Sequence, residues 1–93
     1  MITLQLNVYG FVQGVGFRFF TQRLADSYGD LTGFVKNEMD GSVTIEVRGP
    51  KQSVMKFVED VKRSPAPSGH VDRVSITEIV DEKSYNGFKV IGY

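Results

Sequence analysis

Cysteine is absent from the 93 residues, which excludes disulfides, thiolate nucleophiles and cysteine-based metal or iron–sulfur centres and leaves packing to hold the fold together. Charge of one sign is lacking as well. Eleven Lys and Arg balance eleven Asp and Glu, so no basic stripe or acidic tail announces nucleic acid or another polyanion, and an anion site has to be local. No stretch approaches the roughly 20 apolar residues of a membrane span. Residues Met1 to Tyr9 alternate instead of showing the basic start and apolar run of a signal peptide. These absences lead us to expect a cytoplasmic protein without membrane contacts. The only histidine, His70, follows Pro65-Ala66-Pro67-Ser68-Gly69 and reads as a surface-loop residue rather than a general base.

What is present is enough apolar sequence for one core and no more, so a single domain over residues 1–93 is expected. Ile2, Leu4, Leu6 and Val8 alternate with polar residues, the period of a strand with one buried face. Phe17, Phe20, Thr21, Leu24, Ala25 and Tyr28 recur at the spacing of an amphipathic helix that stops near Gly29. A short strand over Leu31 to Lys36 and an alternating one through Val43, Ile45 and Val47 are joined across Asp40-Gly41, a hairpin signal. Gly49-Pro50 opens a second helix with Val54, Phe57, Val58 and Val61 on its stripe, proline standing near the first helical position. Val74 and Ile76 predict a fourth strand, and Phe88 and Val90 a short one at the end.

The resulting order predicts an α+β, ferredoxin-like βαββαβ sandwich, an antiparallel sheet with both helices on one face plus a short C-terminal strand. In that plan the first two strands run parallel, so their C-terminal ends share one sheet edge and the loop starting at Gly10 approaches Asn37. The opposite face, with Thr3, Gln5, Asn7, Thr44, Glu46 and Arg48, is expected to face water.

The segment with chemistry in it is Gly10-Phe11-Val12-Gln13-Gly14-Val15-Gly16-Phe17-Arg18, between a strand and a helix. Its glycines allow the backbone to curl, so that N–H groups of Val12, Gln13, Gly14, Val15, Gly16 and Phe17 surround an oxyanion at the positive end of the helix dipole. Glycines alone only make a turn. Arg18 adds the decisive signal: a cation in the first helical turn opposes the dipole, and that sign reverses once its guanidinium holds a phosphoryl group. No Lys-Ser or Lys-Thr follows, as a nucleotide P-loop would need, and the third glycine of a dinucleotide fingerprint is missing. The amide of Gln13 is expected to bond within the loop, Arg23 to be solvated or ion-paired, and Phe17, Phe20 and Phe57 to be core.

The GFVQGVGFR loop, followed by LTGFVKN and DGSV, resembles the acylphosphatase family along essentially the whole chain. Phe34 stands where many members carry tryptophan, and the turn at Gly29-Asp30-Leu31 is one residue longer than usual. The resemblance implies hydrolysis of the carboxyl–phosphate bond of acyl phosphates by water, without metal or cofactor, with inorganic phosphate as product and competitive inhibitor, by a monomer. It further implies that Arg18 binds the phosphate, that Asn37 orients the water, and that the Tyr93 carboxylate approaches Arg18. Such a short list suits the chemistry. The leaving group is already a carboxylate, so positioning water and stabilising phosphoryl charge carry the catalysis. From composition alone Asn37 would read as closing a strand end. The acyl end meets no obvious enclosure in the sequence, and broad acyl specificity is expected. Two other readings are a phosphoryl- or carbamoyl-binding accessory domain, and an RNA-recognition-like module, whose stacking aromatics the third strand lacks.

Overall fold

The computed structural model describes residues 1–80 and 84–92; the expected approach of Tyr93 to Arg18 lies outside them. In chain order the elements are β1 (Ile2–Phe11), α1 (Phe17–Tyr28), β2 (Thr32–Asn37), β3 (Val43–Gly49), α2 (Lys51–Lys62), β4 (His70–Glu78) and β5 (Phe88–Ile91). They form one sheet ordered β4-β1-β3-β2-β5. The first four strands of that order pair antiparallel, as the plan requires, and β5 adds parallel to β2. The sheet is therefore mixed at one edge, a pairing that alternation in the sequence does not specify.

Alternation in β1 and β3 sends Leu4, Leu6, Val8, Val43, Ile45 and Val47 into the core, where they meet the two helices. From α1 come Phe17, Thr21 and Ala25, with Phe20, Leu24 and Tyr28 partly buried against them; from α2 come Val54, Phe57, Val58 and Val61. Helix α1 ends where the sequence places it, at Gly29, whose left-handed φ of 79° closes the last turn through its N–H to Asp26 O. Pro50 sits one position earlier than a first helical residue, with extended ψ of 139°, as the N-cap of α2. The two helices are tied by Tyr28, whose hydroxyl donates to Asp60 at 2.5 Å. No helix of the described residues is long and apolar enough to cross a membrane.

Two expectations are corrected. Gly10 does not start the loop: β1 continues through Phe11, and at Tyr9/Gly10 its register with β4 shifts by a bulge. Gly10 has φ +140°, and a Cβ there would overlap the carbonyl oxygen of His70. Glycine at this position thus permits close strand approach rather than a turn. The open sheet face is also not simply wet. Thr3 (1% exposed), Thr44 (6%) and Glu46 (6%) are buried because neighbours lie over them. Arg48 donates to Thr3 Oγ1, Asn7 donates to Thr44 Oγ1, which donates on to Glu38, and the Tyr85 hydroxyl donates to Glu46.

Candidate active site

Between Phe11 and Phe17 the chain makes a short loop in which Gly14 and Gly16 take φ of +78° and +75°. This left-handed region is open to glycine at little cost. Gly16 is also the N-cap of α1 and brings no side chain to satisfy the first turn, which contains no acidic residue. The first intrahelical bond runs from Phe20 N–H to Gly16 O at 3.0 Å. Four residues back from Phe17, Arg18 and Phe19 the chain is loop and not helix, so their N–H groups lack intrahelical acceptors and the helix start presents donors and the positive end of its dipole.

In front of this helix start lies a cavity of about 340 Å³. Val12, Gln13, Gly14, Gly16, Phe17 and Arg18 supply most of its wall, and Phe19, Asn37 and Val90 complete it. Of the loop residues expected there, Val15 is not part of the wall. Its side chain packs against the core and toward Gly69. His70 is exposed at the start of β4, beside Asp72 at 3.1 Å, and does not line the cavity.

Asn37 is the last residue of β2 and pairs with Val43. It shares the helix-covered face with Val35, which aims it at the loop rather than at the open face. The parallel pairing continues β5 alongside, Val35 opposite Val90 and Lys36 opposite Ile91. Arg18 reaches that strand and donates from Nη1 to the carbonyl of Ile91 at 3.0 Å. Arg18 and Asn37, 19 residues apart in the sequence, thereby meet at one sheet edge.

Gln13 joins the loop to the β2–β3 hairpin. Its Nε2 donates to the carbonyls of Glu38 and Ser42, each at 2.8 Å, so it bonds across to the hairpin and not within its own loop. The hairpin is internally braced by Glu38 N–H to Ser42 O at 2.8 Å and by Asp40, which accepts from both Ser42 N–H and Ser42 Oγ. Bonding from the Ser42 hydroxyl and N–H holds the Asp40 carboxyl below its usual range.

Arg18 is the only charged residue in the wall, and no carboxylate faces it among the described residues. Those residues also contain no group of three or more His, Cys, Asp or Glu able to hold a metal ion. The arrangement suits an oxyanion: backbone donors and a guanidinium to hold it, and one neutral amide beside it whose carbonyl oxygen can accept from a water. None of these groups serves as a proton-transfer base at neutral pH.

The family model described as Acylphosphatase matches residues 4–90. The chain belongs to the acylphosphatase family. A protein named acylphosphatase from Latilactobacillus sakei is 48% identical over 89 residues, covering 96% of each chain. The crystal structure of acylphosphatase from Bacillus subtilis superposes with a TM-score of 0.92 at 40% identity, over 98% of this chain and 99% of that one. An acylphosphatase structure from Coxiella burnetii gives 0.89 at 33% identity, over 97% and 92%. The acylphosphatase plan expected from the sequence is thus the fold observed, and in the turn after α1 the Asp30 carboxylate accepts from Ser53 Oγ of α2 at 2.8 Å.

Two residues of the acylphosphatase cavity wall, Phe19 and Val90, and the Ile91 carbonyl that holds Arg18 lie outside the sequence expectation. Phe19 falls off the apolar stripe of α1, on the side away from buried Phe17, a position usually left to solvent. Val90 and the Ile91 carbonyl arrive only because β5 docks beside β2. The one signal in the sequence is a large apolar residue off the helical stripe immediately after Arg18.

Proposed function

We propose that the protein hydrolyses acyl phosphates to a carboxylate and inorganic phosphate, with water attacking phosphorus. The phosphoryl group sits against the N–H groups of the Gly14–Gly16 loop and the start of α1, and Arg18 holds its oxygens. Asn37 Oδ1 accepts a hydrogen bond from the water and fixes its approach. As the P–O bond to the acyl group breaks, the electron pair leaves with the carboxylate. Charge on the phosphoryl oxygens is balanced by the backbone donors and Arg18. A phosphoryl oxygen of the substrate takes the water's proton, since no side chain at the cavity is suited to it.

The observation that carries this reading is the convergence of Arg18 and Asn37 on a cavity whose wall holds one cation and no acid or base. Membership of the acylphosphatase family supports the same reaction. We take a cytoplasmic monomer as the working form. Inorganic phosphate, offering the same oxygens as the substrate, competes for the site.

Hydrolysis of benzoyl phosphate with a chelator present, in water enriched in oxygen-18, tests the proposal. The label is expected in phosphate, with competitive inhibition by unlabelled phosphate. Label in benzoate would mean attack at the carbonyl carbon, and absence of turnover would leave a binding domain.

A further inference from the structure

The cavity is not uniformly polar. Its wall includes two large apolar residues that stay half-exposed, Phe19 at 52% and Val90 at 40%, and what sets them apart from other exposed apolar residues is that both border the anion site. Phe19 has a neighbour on two sides. Phe20 meets it edge-on with ring centroids 5.2 Å apart, and the Arg23 guanidinium, read from sequence as solvated or ion-paired, lies over its ring at 5.7 Å. Val90 is fixed by its pairing with Val35 in the sheet. These are two pre-positioned apolar surfaces bordering a site whose remaining exposed groups bind an anion.

We infer that Phe19 and Val90 form a shelf for the acyl end of the substrate, so that the enzyme favours acyl phosphates with an apolar, and above all aromatic, acyl group over those with a short one. This rests on the proposed acyl phosphate hydrolysis and names its substrate class. The two halves of such a substrate match the two halves of the cavity. The phosphoryl group takes the loop donors and Arg18, and the acyl group covers apolar surface that is otherwise wet. The ring of a benzoyl group also meets the Phe19 ring in one of the favourable offset or edge-to-face arrangements. Because the shelf is open on its outer side, it grades substrates and does not exclude any. The broad acyl specificity expected from the sequence becomes broad with a preference.

The test is the ratio of kcat/KM for benzoyl phosphate to that for acetyl phosphate, measured in the wild type, Phe19→Ala, Val90→Ala, the double variant and Phe19→Leu. Met55→Ala, an exposed apolar residue on α2 away from the cavity, serves as the surface control. We expect the ratio to exceed one in the wild type and to fall about tenfold in the double variant. Phe19→Leu should recover part of it, and Met55→Ala should leave it at the wild-type value. A ratio that does not change in the double variant, or that changes equally in Met55→Ala, overturns the shelf while leaving the hydrolytic function standing. A wild type inactive on both compounds overturns both. Reading a ratio within each variant keeps a partly unfolded preparation from imitating the effect, since lost active enzyme lowers both numbers together.

Discussion

Arg18 and Gly92 lie so close that a Cβ on Gly92 would overlap Arg18 Nη1, the same nitrogen that donates to Ile91 O at 3.0 Å. The guanidinium thus rests on bare backbone at the end of β5. In this way the strand added parallel to β2 aims the cation at the loop.

Gly92→Ala should therefore push Arg18 out of place without touching the loop, Asn37 or the core. We expect kcat/KM for benzoyl phosphate to fall on the order of 10- to 100-fold, the cost of a misplacement of about 1 Å. Phosphate inhibition should weaken in parallel, with the melting temperature little changed. Steady-state kinetics with a thermal melt checks this.

Gln13→Ala removes both bonds from the loop to the hairpin carbonyls of Glu38 and Ser42. The two half-buried bonds should cost about 1–2 kcal/mol of stability, measurable by urea denaturation. Because the hairpin begins immediately after Asn37, kcat should fall more than KM rises. A Gln13→Ala enzyme with wild-type kcat would show that Asn37 holds its place unaided.

Much of this arrangement can be read in the sequence, and the boundary has a physical cause. The alternation of β1 and β3, the stripes of α1 and α2 and Gly29 at the helix end are local signals, and the structure has each in its expected place. Gly10 misleads because a glycine that allows close approach to His70 looks the same in sequence as one that turns the chain. The covering of Thr3, Thr44 and Glu46 depends on side chains arriving from Arg48 of β3, from Glu38 of the β2–β3 hairpin and from Tyr85, which a period-two pattern does not encode. The docking edge of β5 is a choice between two sheet edges. With it come Val90 and the Ile91 carbonyl that anchors Arg18.

The Tyr28–Asp60 bond should make stability pH-dependent at both ends. Burial and then the bond to Asp60 raise Tyr28 to about 12, so its contribution is present below the ordinary tyrosine value near 10 and fades as pH rises through about 12. The same bond, joined by Arg63, holds Asp60 below its ordinary value. Its contribution is present above roughly pH 4 and is lost as pH falls through the lowered value. Tyr28→Phe should cost about 1–2 kcal/mol at pH 7 and flatten the acid limb in urea denaturation followed from pH 2 to 7. An acid limb identical to that of the wild type would assign it to other carboxylates.

Removing the Arg18 guanidinium should abolish ligand binding and chemistry together. In Arg18→Ala, turnover of benzoyl phosphate and inhibition by inorganic phosphate should both be lost, because the cavity keeps no other cation among the described residues. Arg18→Lys should restore part of the phosphate affinity and little of the rate, since a point charge does not reproduce a two-donor fork. Inhibition constants and initial rates on the same preparations check this.

Asn37→Ala separates holding the phosphoryl group from attacking it, and is the most direct test of the site. The measurement is kcat for benzoyl phosphate alongside the inhibition constant of inorganic phosphate. With Arg18 and the loop donors intact, phosphate inhibition should stay within about twofold of the wild type, while kcat should fall roughly 100- to 1,000-fold, the scale of losing one positioned hydrogen-bonding group. An Asn37→Ala enzyme that turns over at the wild-type rate, or one that loses phosphate affinity as steeply as it loses rate, would contradict a water-positioning role for Asn37.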